Sequence, residues 1–386
     1  MFKSIKLRFI LVLIFLIVSV IFCIPNVLEP KGKWKEYLPS DKIHLGLDLK
    51  GGMHLLLEMD TLKMMDNVLD RRFNHIKDAM IREGIRFLDI IKKDNGLSIV
   101  IKQEQKDKLY NLIGKDFTDF KAGGQKAEGE NLIVDFILSE KDIAHIKDNA
   151  LNQALETIRN RIDQFGVTEP VIVKQGDNQI LVQLPGIKDP QRALELIGRT
   201  AQLEFKLVDE ENMSRYTGGP PPEGDEVLSL KTKNRETGIV TTAPILLKKQ
   251  SLLTGDFLTD AKVKIGGEFN NEPYVAIEFN SEGARIFDKI TAENVGKRIA
   301  IILDNTVYSA PVVKERISGG KASITGGFTM DEAKDLAIVL RAGALPAPVK
   351  VVQNITIGPT LGQDSIKKGI SSAILGGILV IVFMIF

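Results

Sequence analysis

The sequence is poor in the residues that most often carry chemistry. Its 386 residues include one cysteine, Cys23, and four histidines. Because a lone thiol cannot form an internal disulfide, the redox state of the compartment places no constraint on the fold. The histidines have no spacing typical of a metal site; they are His44, His54, His75 and His145. We therefore predict no metal and no cofactor.

The sequence also lacks an excess of charge of either sign. It holds 51 basic and 50 acidic side chains, which gives a formal net charge of +1. Such a balance provides no long-range attraction for nucleic acid. The patterns GxSxG, HExxH and GxxxxGK[ST] do not occur. An active site assembled from distant residues stays open, but these absences favour a protein that is not an enzyme and binds no nucleic acid.

Two apolar runs, by contrast, lie at the ends of the sequence. Residues 9–24 are apolar apart from Ser19, and they follow a basic start with Lys3, Lys6 and Arg8. A membrane-spanning helix usually needs about 20 residues, so this run is short. A cleaved signal peptide is the alternative, but no small-x-small cleavage site follows. We predict a first transmembrane helix at 9–26, with residues 1–8 in the cytoplasm.

The second apolar run, residues 370–386, reaches the last residue without a polar flank. A membrane-spanning helix needs a polar segment on the far side of the membrane. The simplest interpretation is therefore a larger membrane protein cut within its second transmembrane helix, at 367–386. A two-pass protein that ends at this point is the alternative. In both cases the polar region between the runs is predicted to be extracytoplasmic.

The stretch HLGLDLKGGMHLLLE, which begins at His44, raises the question of a phosphate-binding loop. Apolar residues occupy every second position on both sides of Gly51 and Gly52, which predicts one long bent strand or a hairpin of three residues. A phosphate-binding loop would need a lysine after its glycines and a helix directly behind them. Lys50 precedes the glycines, so we interpret the pair as a bulge or a place of close backbone approach.

The polar region is predicted to be α+β, with a base subdomain of ferredoxin-like order. A strand, a helix that ends at Gly166, a hairpin, a helix opened by Asp189 and Pro190, and the strand AQLEFKLV follow one another. This first domain, 27–242, is interrupted by an accessory module at 64–140.

Several local signals complete this organisation. In the module, Asn95-Gly96 predicts a hairpin, and the polar stretch 114–130 is interpreted as a connection. A charged stretch rich in glycine and proline, 209–242, predicts a mobile loop.

An inserted α+β head is predicted at 243–344, where Thr329 and Glu332 form a capping box. Residues 345–366 are predicted to return as a strand of the base and a segment at the membrane interface. Asp364 within that segment is interpreted as a helix N-cap, with a gating or coupling role as the alternative.

Several of these stretches resemble the motifs of one family. HLGLDLKGGMHLLLE behind one apolar run, and ALPAPVKVVQNITIGPTLGQDSIKKG before a second, resemble signatures of the SecD family of bacterial protein-export subunits. IRNRIDQFGVTEP, ILVQLPGI, AQLEF and GKRIAIILDNTVYSAPVV resemble the family in the same order. The residues that carry the two signatures are Leu45, Gly46, Leu47, Asp48, Leu49, Lys50, Gly51 and Gly52, then Gly358, Pro359, Thr360, Leu361, Gly362 and Asp364.

The resemblance implies a multi-pass subunit of the resistance–nodulation–division group in the bacterial inner membrane, with its large domain in the periplasm. It implies SecF and the SecYEG channel as partners, YajC and YidC as further partners, and an unfolded preprotein as substrate. In the family, a mobile head holds the emerging polypeptide and the proton motive force drives its movement.

The family's proton-carrying aspartate lies in a later transmembrane helix, so the resemblance assigns no proton-path residue to this chain. Strand addition or exposed apolar surface could bind the preprotein, at the exposed edge of the head within 252–279 or 298–313. The alternative is that each segment only builds the head's sheet. A membrane-tethered scaffold that supports assembly of the translocase without a force-generating cycle is the alternative function.

Overall fold

The computed structural model describes residues 5–27, 46–216, 218–233, 240–266 and 272–386. Its helices and strands run in chain order as α1 (Ile5–Val27), α2 (Leu47–Lys50), β1 (Gly52–Met59), α3 (Thr61–Arg82), β2 (Phe87–Lys93), β3 (Gly96–Lys102), α4 (Lys106–Asp116), β4 (Phe120–Glu128), β5 (Asn131–Leu138), α5 (Glu140–Phe165), β6 (Val171–Gln175), β7 (Gln179–Pro185), α6 (Pro190–Gly198), β8 (Leu203–Val208), α7 (Glu210–Met213), β9 (Asp225–Lys233), β10 (Val240–Thr254), β11 (Leu258–Ile265), β12 (Pro273–Phe279), α8 (Ser281–Glu293), β13 (Ile299–Leu303), β14 (Thr306–Ser309), β15 (Lys321–Ile324), α9 (Met330–Ala342), β16 (Val349–Ile357) and α10 (Pro359–Ile385).

The chain divides into two compact units. The first joins both ends of the sequence, Met1–Gly52 and Ile357–Phe386, and contains α1, α2 and α10. The second, Met53–Thr356, contains the sheets, and we describe it as a base, an accessory module and a head, each with its own hydrophobic core.

The base is a four-stranded sheet in the order β16-β1-β7-β6, covered by α5 and α6. Strand β1 buries every second residue, as predicted, and α5 turns a stripe of apolar residues toward the sheet. The predicted end of α5 is confirmed, because Gly166 adopts the left-handed conformation of a helix C-cap with φ 85°. Asp189 caps α6 as predicted by accepting a hydrogen bond from the backbone N–H of Arg192.

The predicted place of AQLEFKLV is wrong. This segment, β8, lies between β10 and β13 in the head, and β16 completes the base sheet instead. The reason is burial on both faces, since Leu203 and Phe205 pack into one core while Val208 packs into another. The second face also carries Lys206, which is buried and pairs with Glu204 and Glu226.

The head combines a closed barrel of strands β10-β8-β13-β14-β9 with a three-stranded sheet, β11-β12-β15. Its main core lies between the barrel, this sheet and helices α8 and α9. Phe205, Phe279 and Phe287 meet at its centre, with ring centroids 5.2 to 5.9 Å apart. The predicted capping box of Thr329 and Glu332 opens α9. Two barrel strands, β8 and β9, precede the predicted start of the head at residue 243.

The interpretation of 209–242 as a mobile loop is wrong over α7, β9 and the start of β10. It contains α7 and β9, and β9 pairs antiparallel with β10 from Asp225 to Lys233. The glycines and prolines of 218–224 dominated the pattern, whereas Leu228 and Leu230 pack against the small barrel core. Residues 217 and 234–239 of this stretch lie outside the described residues.

The accessory module packs α3 and α4 on a sheet of order β2-β3-β5-β4. The hairpin predicted from Asn95-Gly96 is confirmed, with Lys93 opposite Gly96. The connection predicted at 114–130 is wrong, because it holds the end of α4 and the edge strand β4. Nearly all of β4 is exposed, so its polar sequence carries no alternation by which to recognise a strand.

The apolar runs at the two ends are helical, in α1 and α10. Among the described residues, the segment long and apolar enough to cross a membrane is Asp364–Ile385, with a mean hydropathy of 2.1. Helix α1 has 23 residues and includes the apolar stretch Ile10–Ser19.

Candidate functional site

The first signature segment forms a turn of helix rather than the predicted strand. The backbone N–H groups of Leu49 and Lys50 donate to the carbonyl oxygen of Gly46 at 3.2 and 3.0 Å, and β1 begins only at Gly52. The alternation of Leu47 and Leu49 is typical of a strand, but leucine and lysine also have high helix propensity. The helical turn therefore forms in spite of the alternation. Residues 43–45 of the predicted strand, including Leu45, lie outside the described residues.

Gly51 and Gly52 end this turn with backbone angles that other residues resist. Gly51 has φ 69° and ψ 179°, and Gly52 has φ 141°. This region of dihedral space is accessible almost only to glycine. The two glycines therefore enforce the change from helical turn to strand through the backbone alone.

The second signature segment opens α10. Gly358 is the N-cap and Pro359 occupies the first turn, where its missing N–H costs nothing. Asp364 is exposed and lies in the second turn, so its interpretation as the N-cap is wrong. Helix α10 packs against α2 within the first unit, which brings the helices of the two signature segments together.

A third site, which the sequence did not predict, joins the base to the head. We define the base–head joint as Arg161 of α5 together with segments 199–202 and 343–345, which carry the chain into and out of the head. The backbone N–H of Leu345 donates to the carbonyl oxygen of Thr200 at 2.8 Å and so ties the two segments together.

The guanidinium of Arg161 is enclosed by backbone carbonyls. Nη1 donates to the carbonyl oxygens of Leu196 and Ile197 at 3.0 and 3.2 Å. The remaining acceptors are the carbonyl oxygens of Arg199, of Thr200 at 3.5 Å and of Gly343 at 2.9 Å. The residue is 1% exposed, and it makes no salt bridge to a carboxylate in the described part of the chain.

Burial lowers the pKa of Arg161 to about 10, while the charge of Asp304 opposes this shift. A pKa of that value still leaves the group charged at neutral pH. Asp304 also accepts hydrogen bonds from the backbone N–H groups of Ala201 and Gln202, at 3.1 and 3.0 Å. The segment that enters the head is thus held from both sides.

The burial of Arg161 could have been predicted from the sequence. Positions 151, 154, 158, 161 and 165 follow one helical face, and Arg161 is the charged member among Leu151, Ala154, Ile158 and Phe165. An arginine on an apolar stripe must find buried acceptors.

An outer ion pair spans the same boundary. Arg192 of α6 binds Asp335 of α9 in bidentate fashion, with Nε at 3.1 and 3.0 Å from the two carboxylate oxygens and Nη2 at 2.7 Å from one. The hydrogen bond to Asp335 raises the pKa of Arg192. Arg341 of α9 donates to the carbonyl oxygen of Ala261, at the outer side of β11.

An open cleft of about 820 Å³ lies between the accessory module and α8 of the head. Its lining mixes both signs of charge; it includes Arg72, His75, Asp78, Arg82, Asp116 and Glu282. Within the residues that the structure describes, no group of histidine, cysteine, aspartate and glutamate side chains is arranged to hold a metal ion.

Comparison with known proteins identifies the family. A family model described as the P1 head subdomain of SecDF matches residues 229–347. A second model, described as the N-terminal part of the P1 domain of protein translocase subunit SecDF, matches residues 151–210. The protein translocase subunit SecD of Calditerrivibrio nitroreducens is 47% identical over 387 residues, which cover 99% of this chain and 72% of that protein. This chain belongs to the SecD family of protein translocase subunits.

The SecD subunit of Syntrophobacter fumaroxidans is 46% identical, over 99% of this chain and 73% of that protein. A crystal structure of SecDF in super-membrane-facing form is 29% identical, with a TM-score of 0.48, over 96% of this chain. The SecD chain spans 38% of that SecDF chain. Membership in the SecD family makes the chain a component of the Sec protein-export machinery, and its relatives are transport proteins by name.

Proposed function

We propose that this SecD chain works with SecF and SecYEG, binds the emerging preprotein on the periplasmic side and promotes completion of translocation with the proton motive force. The observation that carries the proposal is the identity of 46 to 47% to SecD subunits across 99% of the chain. YajC and YidC are proposed as further partners. The proton-conducting part of the motor is proposed to lie in later transmembrane helices.

We propose a multi-pass topology in the inner membrane, with residues 1–8 in the cytoplasm and Met53–Thr356 in the periplasm. The helical apolar runs of α1 and α10 support this arrangement. The signature residues from Gly46 to Gly52 and from Gly358 to Asp364 are proposed to act in coupling, because the helices that contain them pack together.

A ferredoxin-like base is supported by the order of its strands. If β1, β6, β7 and β16 are counted in chain order, the sheet reads fourth, first, third, second. Strand, helix, two strands, helix and strand then follow in the order of that fold, with the accessory module and the head as insertions.

For preprotein binding we propose strand addition at β11. Of the two segments expected from the sequence, 298–313 forms β13 and β14 inside the closed barrel, which leaves them without a free edge. β11 lies at the edge of its sheet, and no described strand pairs with its outer side, although Arg341 already occupies the carbonyl oxygen of Ala261 there. An extended polypeptide of any sequence can add to such an edge through its backbone.

Cross-linking of head to base tests whether the head must move. In a Cys23→Ser chain, Arg192→Cys and Asp335→Cys place thiols on α6 and α9, where a short reducible bis-thiol reagent can join them. We expect export to fall on cross-linking and to recover after reduction. Lys289→Cys with Glu293→Cys, both on α8, is the matched control, because its cross-link constrains no other element. Unchanged export after complete cross-linking would contradict the moving head and favour the scaffold.

A further inference from the structure

We propose that Arg161 is the positioning residue that stabilises the orientation of the head on the base in this structure, one of the orientations that a moving head takes. Its guanidinium reaches from the base helix α5 to the carbonyl groups of both segments that connect the two subdomains. This inference concerns the geometry of the chain, and only its consequence for export rests on the proposed function.

The acceptors around Arg161 are the ends of two helices. Leu196 and Ile197 lie in the last turn of α6, and Gly343 is the C-cap of α9. Carbonyl groups at helix C-termini lack partners within the helix and carry the negative end of the helix dipole. One cation therefore satisfies free carbonyls from a helix of the base and from a helix of the head at the same time.

The side chain of Arg161 can fix the directions of its hydrogen bonds as well as supply a positive charge. The guanidinium is planar and presents its N–H groups in a fixed fork, whereas a lysine ammonium is a point charge with three rotatable donors. Nη1 donates to carbonyl oxygens at the end of α6 and to that of Arg199, and Nη2 donates to the carbonyl oxygens of Thr200 and Gly343. Rotation of the head about the base would separate these acceptors from the plane of the donors.

The remaining polar contacts across the boundary are more exposed. Arg192 and Asp335 are 31% and 18% exposed, and Arg341 is 39% exposed where it meets Gln164 of α5 at 3.5 Å. Water competes for such pairs. Arg161 is buried, so its hydrogen bonds have no competing water and its loss cannot be compensated from solvent.

The test measures the head-to-base distance by double electron–electron resonance. Spin labels are attached in the full Cys23→Ser chain at Gln153→Cys on α5 and Lys289→Cys on α8, both exposed positions. We expect Arg161→Met to broaden the distance distribution at least twofold and Arg161→Lys to give an intermediate width. Gln250→Cys paired with Lys289→Cys lies entirely within the head and should keep its width in every variant.

Arg159→Met is the matched control, because Arg159 lies on the same helix and forms its ion pair with Glu156 at the surface. It should leave both distributions unchanged. An unchanged base-to-head distribution in a folded Arg161→Met chain would overturn the inference. If Arg161→Met does not fold, Arg161→Lys decides by the same criterion. Normal export with a broadened distribution would instead contradict the proposed function and leave the role of Arg161 standing.

Discussion

The segment at Gly51 and Gly52 and the base–head joint differ in what enforces the path of the chain. At the glycines, the backbone adopts angles that few other residues tolerate. At the joint, a side chain from a separate helix, Arg161, holds the carbonyl groups of segments that are distant in sequence. The first device is local and depends on residue type, whereas the second depends on tertiary contact.

This difference decides which of the two features, the glycine pair or the base–head joint, can be predicted from a sequence. A pair of glycines within an apolar alternation is a recognisable signal, and it is part of the SecD signature. Arg161 lies on the apolar stripe of α5, so the sequence indicates its burial but not the distant segments that it binds. Loss of the glycines and loss of Arg161 should therefore differ in the size of their effects, and the contacts at the joint should differ in their dependence on salt and pH.

The largest effect is expected at the glycines. Gly51→Val with Gly52→Val forces two β-branched residues into positive φ, which we expect to cost about 4 kcal/mol of backbone strain. Export measured with a secreted reporter should fall severely while the amount of subunit in the membrane is unchanged. Gly124→Val in the exposed strand β4, where a side chain meets open space, is the control and should be neutral. Normal export in the double variant would refute the role of the glycines.

At the joint, Arg161→Met should be strongly destabilising. It removes the donors of several buried carbonyl groups, and we expect a loss of about 3 kcal/mol in the free energy of unfolding. Thermal unfolding followed by circular dichroism should show the melting temperature reduced by roughly 5–10 °C. Arg159→Met should change it by less than about 1 °C; an equal shift in both variants would show that the buried contacts of Arg161 contribute nothing special.

The outer ion pair of the same boundary should matter less. Asp335→Asn removes the charge that Arg192 binds, and because both side chains are partly exposed we expect a loss of about 1 kcal/mol. The effect should shrink further in high salt, whereas that of Arg161→Met should not. Melting temperatures at low and high ionic strength check this; a salt-sensitive Arg161 variant would contradict the contrast.

The smallest effect concerns pH and a cluster of charges in the head. A hydrogen bond from Lys248 lowers the pKa of Asp209, which also accepts from the backbone N–H of Asn212 at 3.0 Å and lies beside Asp225. A lowered carboxyl pKa gives stability that is present above the ordinary value of 3.8 and is lost as the pH falls below it.

Amide exchange, corrected for intrinsic rates, should therefore show Asn212 equally protected at pH 7 and pH 5 and less protected at pH 3. The N–H of Leu345 in the joint should show no such change over this range, because its acceptor is the carbonyl oxygen of Thr200, which does not titrate, and Arg161 stays charged. Loss of protection at Leu345, whose N–H binds Thr200, before that at Asn212 would contradict this order.

Much of the fold followed from local patterns. The stripe of α5, its end at Gly166 and the caps at Asp189 and Thr329 were all predictable, because each depends on residues within a few positions. Strand partners were less predictable. The sequence of β8 does not indicate its neighbours, and only the two cores on its faces assign it to the barrel rather than to the base.

In the candidate sites too, local features could be predicted from the sequence and long-range contacts could not. The glycine pair was predicted as a special place in the backbone, yet the turn of helix before it was missed because Leu47 and Leu49 also suit a strand. Gly358 and Pro359 already begin helix α10. Asp364 lies five residues after that proline, inside the helix, and so cannot be its N-cap. The joint could not be predicted, since its acceptors lie in segments far from Arg161 along the chain.

The order of strands in the base has a consequence for biosynthesis. β1 and β16 are neighbours in the sheet, although residues 60–348 separate them along the chain. During synthesis the accessory module and the head have all their strands before β16 has been made. Closure of the base sheet must therefore wait until nearly all of the base, the module and the head have been made, which makes it a late contact. Until then β1 presents an unpaired edge, and a nascent SecD chain itself needs protection from aggregation.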